Sequence, residues 1–236
     1  MIHTSGLTSI TATGLAKSFG TGGKARAILD GLDIALPQGA LSLIKGPSGC
    51  GKSTLLAILA GLTPPDRGEV NLLGTRIWSL GQKQRDAFRL AELGFIFQGS
   101  ILFPALTASQ QIELVLGYMG IGPAEATRRA QAALEAVGLA GRAALRPDAL
   151  SGGEKQRVAI ACALAKSPRI IFADEPTSAL DGENSDLVSD QLRRLARAEG
   201  ASVVCVTHDD RLTRFADHIL TMREGRIVGP YEGPSL

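Results

Sequence analysis

The sequence predicts an α/β protein with a largely parallel sheet covered by helices. Strand-like and helix-like stretches alternate along most of the 236 residues, which is typical of parallel strands joined by helices. Glycine is abundant at 28 residues and aromatic residues make up only 4%, which favours turns and phosphate loops over a stacking surface. At a usual domain size of roughly 150 residues the chain holds about 1.6 domains. One main core with a smaller second part is therefore expected.

Short apolar stretches bounded by turn signals predict the strands. In chain order they cover residues 32–36, 41–45, 69–73, 94–98, 169–174, 202–206 and 218–222. Helical spacing of apolar residues predicts the helices. These cover residues 51–60, 81–93, 123–137, 152–166 and 181–199. Between residues 98 and 151 the strand signal lapses, so this part of the chain is expected to form the smaller, helical part.

Composition excludes several classes of protein. Lys and Arg total 25 and Asp and Glu total 23, and a net charge of only +2 argues against bulk nucleic acid or an anionic membrane surface as the main partner. The longest apolar runs are about eight residues, well short of the ~18–20 that cross a bilayer. The first residues lack the basic and apolar regions of an export signal. Three isolated cysteines without metal-ligand spacing fit reduced thiols in the cytoplasm.

A phosphate-loop motif lies between the strand predicted at 41–45 and the helix predicted at 51–60. Glycines let the backbone N–H groups turn towards phosphate oxygens, and the following helix adds its positive end. Lys52 is predicted to neutralise the β- and γ-phosphates and the Ser53 hydroxyl to hold Mg²⁺. A match to this pattern by accident has a chance of only about 1% at this composition. The motif consists of Gly46, Pro47, Ser48, Gly49, Cys50, Gly51, Lys52, Ser53 and Thr54.

Two adjacent carboxylates, Asp174 and Glu175, follow the apolar run 170–173. A buried strand that ends in this way delivers both at the carboxyl edge of the sheet, where the ligands of α/β proteins bind. Asp174 is predicted to bind Mg²⁺ through water, and Glu175 to polarise an attacking water. The pattern alone fits a solvated strand end equally well, and the phosphate loop is what favours the catalytic interpretation.

A second candidate anion site starts the helix predicted at 152–166. The sequence of residues 150–156 is LSGGEKQ, and the backbone N–H groups of such a helix start can bind a phosphate. An ordinary serine N-cap is the alternative. The stretch resembles the LSGGQ signature of ABC ATPases. Gln98 at the end of a strand resembles their Q-loop, residues 178–181 their D-loop, and His208 after an apolar strand their switch histidine.

From about residue 7 to residue 228 the chain resembles the ATP-binding subunits of ABC transporters. Residues 94–98, 150–154 and 206–211 are similar to the branch of lipoprotein-release, macrolide-export and heterocyst-glycolipid-export ATPases. The resemblance implies a P-loop NTPase fold, with a RecA-like, mostly parallel core, an antiparallel N-terminal β-subdomain and an inserted helical subdomain. Within a single domain of residues 1–236, the nucleotide-binding core is expected at 1–97 and 167–236, and the helical subdomain with the signature at 98–166.

The resemblance also implies the ligands ATP and Mg²⁺ and the residues that meet them. The catalytic residues are Lys52, Glu175 and His208, the last holding the γ-phosphate and water geometry. Gln98 joins Ser53 and Asp174 at the metal. Phe19 is expected to stack on adenine, although an ordinary core residue at a strand end is the alternative. The remaining nucleotide contacts are Ser151, Gly152, Gly153, Glu154 and Asp181.

Two cysteines depart from simple expectations. Cys162 stands where many relatives of this family carry arginine, so an ionic contact common in the family is expected to be missing. Cys50 lies inside the phosphate loop at a helix N-terminus, where thiol pKa values fall. A reactive thiol that ATP protects and a filler residue without chemistry are both open interpretations.

As partners, the resemblance implies a second copy in a head-to-tail homodimer around two Mg-ATP, or a paralogous ATPase, together with integral-membrane permease subunits and a periplasmic adaptor. The expected place is the cytoplasmic face of a bacterial inner membrane, and the expected role is export or the extraction of lipids or lipoproteins. A cell-division or mechanical-signalling ATPase that regulates a membrane partner is the alternative. A soluble ABC ATPase of DNA repair, translation or cluster assembly is disfavoured, because no long coiled-coil insertion or basic patch is visible.

Overall fold

The computed structural model describes residues 8–20 and 26–228, which form two sheets and six α-helices. The strands are β1 (Thr8–Phe19), β2 (Arg26–Pro37), β3 (Leu41–Lys45), β4 (Arg67–Leu72), β5 (Thr75–Arg76), β6 (Leu93–Ile96), β7 (Ile170–Asp174), β8 (Ser202–Val206), β9 (His218–Arg223) and β10 (Arg226–Ile227). The helices are α1 (Lys52–Leu59), α2 (Gln82–Glu92), α3 (Ala108–Tyr118), α4 (Pro123–Ala136), α5 (Gly152–Leu164) and α6 (Gly182–Glu199). Short 3₁₀ helices cover Ile77–Ser79, Ala140–Arg142, Pro147–Ala149 and Asp210–Phe215.

The larger sheet has the order β10-β9-β3-β8-β7-β6 and is parallel except for the β10–β9 pair. Its central strands β3, β7 and β8 are buried along nearly their whole length, as continuous apolar runs in parallel sheets are. Because β3, β8 and β7 are neighbours, the loops that follow them meet at one edge of the sheet. Those loops carry the phosphate loop, Glu175 and His208.

The smaller sheet is antiparallel, with the order β2-β1-β4-β5. Its apolar side chains form one core with α1 and with one face of the larger sheet, including Phe172. The opposite face of the larger sheet packs on helices α3 to α6 in a second core. The mixed sheet, the antiparallel N-terminal sheet and the helices confirm the predicted fold class.

Helices α3, α4 and α5 share the second core with the larger sheet. Ile112 of α3, Leu134 of α4 and Ile160 of α5 are fully buried in the same cluster as Leu43 and Ile171 of the sheet. The division into a nucleotide-binding core and a helical subdomain at 98–166 stays a prediction.

Strand β6 was predicted at 94–98 and ends instead at Ile96. Its pairing with β7 stops at Ile96↔Ala173, Phe97 is exposed, and Gly99 adopts a φ of 81° that turns the chain. The expectation that Gln98 ends this strand is therefore wrong, because Gln98 lies in the loop beyond it. The helix predicted at 81–93 correspondingly ends at Glu92.

Several elements were not predicted, namely β1, β5, β10 and α3. The in-out alternation of β1 is interrupted by a register shift between Thr13 and Ala16, where Gly14 adopts a φ of 61°. A bulge of this kind breaks the period-2 signal. Helix α3 carries a readable start signal, because Thr107 and Gln110 form a capping box.

Among the helices of residues 8–20 and 26–228, none combines the length and the apolar character that a membrane crossing requires.

Candidate nucleotide-binding and hydrolysis site

The predicted phosphate loop leaves the sheet at Lys45, the last residue of β3, and enters α1 at Lys52. No side chain caps α1 at Gly51, so the N–H groups of its first turn keep their capacity to bind an external anion. The strand–loop–helix arrangement is the one that a phosphate loop needs.

Two glycines of the loop are required by close backbone approaches. A Cβ on Gly46 would lie 2.2 Å from the Met222 carbonyl oxygen and 2.9 Å from the Cys50 sulfur. A Cβ on Gly51 would lie 2.9 Å from the Ile28 carbonyl oxygen, and Gly51 also has a φ of 106°. Only glycine fits at either position, so the loop keeps the narrow shape that surrounds a phosphate.

The Lys52 ammonium is folded into this loop. Its Nζ donates to the carbonyl oxygens of Gly46 at 2.8 Å and Pro47 at 3.0 Å and lies 4.0 Å from the Cys50 sulfur. The Cys50 side chain is buried under the loop, which favours the filler interpretation over a reactive thiol. The positive charge is thus already placed where phosphate oxygens would replace the two carbonyls.

Phe19 lies beside the loop and is 49% exposed, so it is not a core residue. It lines an open cavity of about 310 Å³ together with the phosphate-loop residues Gly49, Gly51, Lys52, Ser53 and Thr54. Arg26 and Ile28 line the same cavity and were not predicted as site residues, since they belong to no motif. An exposed aromatic ring next to a phosphate loop is suited to stacking on a base.

Ser53 and Asp174 meet across the sheet edge, where the Ser53 hydroxyl donates to Asp174 Oδ1 at 3.1 Å. Burial raises the pKa of the Asp174 carboxyl above its ordinary value, and the neighbouring Glu175 charge raises it further. A cation beside Asp174 would relieve both effects. Because oxygen atoms are the ligands that Mg²⁺ prefers, this pair fits the predicted metal site.

Glu175 and His208 are in direct contact. Glu175 Oε1 lies 2.7 Å from His208 Nδ1 and accepts a bond from the His208 backbone N–H at 3.2 Å. Glu175 Oε2 accepts a bond from the Thr207 hydroxyl at 2.7 Å. The Glu175 side chain is 8% exposed and that of His208 is 70% exposed. The structure therefore brings two of the three predicted catalytic residues together, and adds Thr207, which was not predicted.

A second group of unpredicted residues surrounds Thr207. The Asp209 backbone N–H donates to the Thr207 hydroxyl at 3.0 Å, and the Asp209 carboxylate accepts a bond from the Thr177 hydroxyl at 3.1 Å. The Arg211 side chain is the main reason that the pKa of the Asp209 carboxyl lies below its ordinary value. These contacts tie the D-loop segment after β7 to the loop that carries His208.

The predicted signature forms a closed N-cap at the start of α5. The Glu154 backbone N–H donates to the Ser151 hydroxyl at 3.2 Å, and the Ser151 backbone N–H donates to the Glu154 carboxylate at 2.8 Å. Arg142 donates to the same carboxylate at 2.8 Å, and mainly for this reason the pKa of Glu154 is lowered to about 2. Glu154 therefore serves the cap and Arg142. A direct contact of Glu154 with nucleotide stays a prediction, as do those of Ser151, Gly152 and Gly153.

Two other predicted residues lie in loops or caps. Gln98 is exposed beyond the end of β6, and the preceding Phe97 carbonyl accepts a bond from the buried Gln156 amide of α5 at 3.4 Å. Asp181 caps α6, accepting a bond from the Asn184 backbone N–H at 2.9 Å. Contacts of Gln98 with metal and of Asp181 with nucleotide stay predictions.

A phosphate loop and a strand ending in two carboxylates, on a mostly parallel sheet, define a P-loop ATPase. The family model that describes the ABC transporter matches residues 29–178. The uncharacterized ABC transporter ATP-binding protein YknY of Bacillus subtilis is 42% identical over 95% of this chain and 97% of its own length. The lipoprotein-releasing system ATP-binding protein LolD of Bacteroides fragilis is 39% identical over 97% of this chain and 100% of its own.

The ATP-binding cassette MJ0796, solved as a dimer in a post-hydrolysis state bound to ADP and Pi, has the same fold. It superposes with a TM-score of 0.91 at 34% identity, over 96% of this chain and 99% of that chain. This chain belongs to the ABC transporter family of ATP-binding, ATP-hydrolysing proteins.

Proposed function

We propose that this chain is the ATPase subunit of a transporter, which dimerises head-to-tail around two Mg-ATP and thereby drives an integral-membrane permease. The observation that carries the proposal is the separation of two candidate anion sites. The described residues around the cavity above the phosphate loop include none from the signature at Ser151–Glu154. A second copy could supply its signature to that cavity, and MJ0796 was solved as a dimer.

In the proposed hydrolysis a water oxygen forms a bond to the γ-phosphorus, while the bond from that phosphorus to the bridging β–γ oxygen breaks. ADP leaves with that oxygen. Glu175 accepts the proton of the attacking water, and His208 and Lys52 hold the γ-phosphate. Ser53, Asp174 and Gln98 would hold Mg²⁺, which neutralises the charge of the phosphates when it is bound.

Closure of the dimer follows from binding energy. ATP contacts more groups in a closed pair than in an open one, and therefore shifts the population towards closure. A shift from 1:99 to 99:1 takes ~5.5 kcal/mol, which two triphosphates that bridge four anion sites can supply. Hydrolysis removes the bridge and reopens the pair.

Ser151 provides a test that separates a cap from a nucleotide contact. Ser151→Ala removes the cap and is expected to lower the free energy of unfolding by about 1 kcal/mol. Ser151→Asn keeps a side-chain cap and near-normal stability, yet replaces the hydroxyl that would meet the γ-phosphate. We expect both variants to lose dimer formation with a slowly hydrolysed ATP analogue, measured by light scattering. Normal dimer formation by Ser151→Asn would mean that Ser151 is only a cap.

An apolar cavity of about 320 Å³ supports a membrane permease as the partner. It lies between the sheet and the helices that follow it, and four of its lining side chains are large, apolar and exposed: Leu62, Phe97, Ile101 and Phe103. Exposed apolar clusters of this kind mark interaction sites. Phe97 precedes Gln98 in the chain, so a segment of the permease bound here would be coupled to the nucleotide site.

Two departures in this cavity bear on how the permease binds. Cys162, which replaces the arginine of many relatives, lines the cavity, and burial raises the pKa of its thiol to about 12. Lys166 lines it as well, and burial lowers the pKa of its ammonium to about 8. The Lys166 Nζ donates to the Arg89 and Leu93 carbonyl oxygens at the end of α2. The fixed positive charge at this place is thus held by the protein's own backbone.

The transported class that we propose is export or the extraction of lipids or lipoproteins. The supporting observation is the high identity to LolD, which is named for a lipoprotein-releasing system. On this proposal the chain is peripheral at the cytoplasmic face of the membrane, with a periplasmic adaptor as a further component. Regulation of a cell-division or mechanical-signalling partner uses the same ATPase residues and is separated by the partner itself.

Co-purification tests this proposal. The tagged chain is purified from detergent-solubilised membranes of its own host, and the bound membrane protein is identified by mass spectrometry. A permease with a large periplasmic domain supports export or extraction, and a division protein supports regulation. A strictly soluble homodimer would overturn the proposal.

The cavity is tested with Ile101→Asp in the same experiment. Ile101 is 75% exposed, so the change should alter stability by no more than about 0.5 kcal/mol, yet it is expected to abolish co-purification of the permease. Tyr118→Asp is the matched control, because Tyr118 is 74% exposed and does not line the cavity. Equal retention of the permease by both variants would place the docking surface elsewhere.

A further inference from the structure

We propose that Thr207 is a positioning residue that holds Glu175 Oε2, so that Oε1 is the oxygen that receives the proton of the attacking water. The inference rests on the proposed function, in which Glu175 is the base. It is carried by the hydrogen bonds on the two carboxylate oxygens, which differ in what they contact and in how freely the contact can be released.

The backbone brings Thr207 and Glu175 together without a long connection. Strands β7 and β8 are paired in parallel up to Asp174↔Val206, and the Glu175 backbone N–H donates to the Val206 carbonyl at 2.9 Å. Each strand thus continues by one residue, Glu175 from one and Thr207 from the other. Glu175 has a φ of 49°, an uncommon conformation for a residue other than glycine. Its side chain meets Thr207 at this turn.

The Thr207 hydroxyl has only one proton, and its direction is fixed. The hydroxyl oxygen accepts a bond from the Asp209 backbone N–H at 3.0 Å, so the proton is left for Glu175 Oε2 at 2.7 Å. Asp209 is itself held by the Thr177 hydroxyl and by Arg211. Thr207 is fully buried, and a buried hydrogen bond to a charged group is among the stronger ones.

The other oxygen has a partner that can leave. Oε1 lies 2.7 Å from His208 Nδ1, and the His208 side chain is 70% exposed. Exposed side chains change rotamer on a picosecond to nanosecond timescale. When the His208 ring turns towards the γ-phosphate, Oε1 becomes available to water while Oε2 stays bound to Thr207. Thr207 would then orient the base without touching the substrate.

Thr207→Val keeps the shape of the side chain and removes the hydroxyl. We expect kcat for ATP hydrolysis to fall about ten- to a hundredfold, because a misplaced catalytic group costs up to about 10²-fold. The KM for ATP should stay within about twofold of normal, since Thr207 is proposed to act only on the base. Thr207→Ser restores the donor and should bring kcat back to within about threefold of normal. Ser189→Ala, which also removes a buried hydroxyl, controls for destabilisation and should leave kcat unchanged.

A measurement without nucleotide tests the contact itself. Urea unfolding of Thr207→Val, Glu175→Gln and the double variant should be non-additive, because the two side chains share one hydrogen bond. Additive effects, a normal kcat for Thr207→Val, or no rescue by serine would each overturn the inference. Near-normal hydrolysis by Glu175→Gln would instead refute the role of Glu175 as base, so the two failures are distinguishable.

Discussion

Glu175→Gln is expected to lower the rate of ATP hydrolysis by about 10²–10⁴-fold, the usual contribution of a positioned general base. The amide keeps the length of the side chain and can still contact Thr207 and His208, but it cannot take the proton of a water. ATP binding should remain near normal, because Glu175 follows the strand edge and is not part of the phosphate loop. A steady-state phosphate-release assay and a nucleotide-binding titration measure the two quantities separately.

Glu199→Gln is the matched control, since it changes an exposed glutamate at the end of α6 that contacts no site residue described above. It should hydrolyse ATP normally. If the proposed cycle is correct, Glu175→Gln should also accumulate as a dimer with Mg-ATP, because closure would proceed while reopening is slowed. A variant that hydrolyses ATP within about twofold of normal would remove Glu175 from the mechanism.

The parts of the site that sequence reasoning identified are those encoded by a short contiguous motif. The phosphate-loop glycines, Lys52 and Ser53 lie within nine residues, and a strand and a helix flank them as the motif requires. Asp174 and Glu175 follow a strand whose apolar run is unmistakable. In each case local chemistry and local structure come from the same residues, so no knowledge of distant contacts was needed.

The residues that were missed depend on distant pairings. Thr207 is recognisable only once β7 and β8 are known to be neighbours, and Arg142 only once it is seen beside Glu154. Arg26 reaches the cavity because β2 pairs with β1 next to Phe19. The strand β1 itself was hidden by its bulge at Gly14. Sequence patterns show which residues are capable of chemistry, whereas sheet order decides which of them meet.

Gly46→Ala is expected to damage both stability and nucleotide binding, although it adds a single methyl group. The new Cβ would lie 2.2 Å from the Met222 carbonyl oxygen, which belongs to β9 beside β3 in the sheet. Backbone cannot move aside as a flexible side chain does, so we expect the free energy of unfolding to fall by about 3 kcal/mol. For a chain of this size that corresponds to a Tm lower by about 6–12 °C, measured by calorimetry.

Gly49→Ala in the same loop separates steric contact from backbone conformation. Gly49 has a φ of 77°, and a Cβ there would meet no atom within 4 Å, so only conformational strain of about 1 kcal/mol is expected. Relief of the Gly46 contact must instead move the loop away from β9, which misaligns its N–H groups. The loss of one hydrogen bond to a charged phosphate should weaken ATP binding about 10–100-fold, measured by titration of the folded protein. Equal effects of the two substitutions would mean that glycine at Gly46 serves conformational freedom and not the close approach to β9.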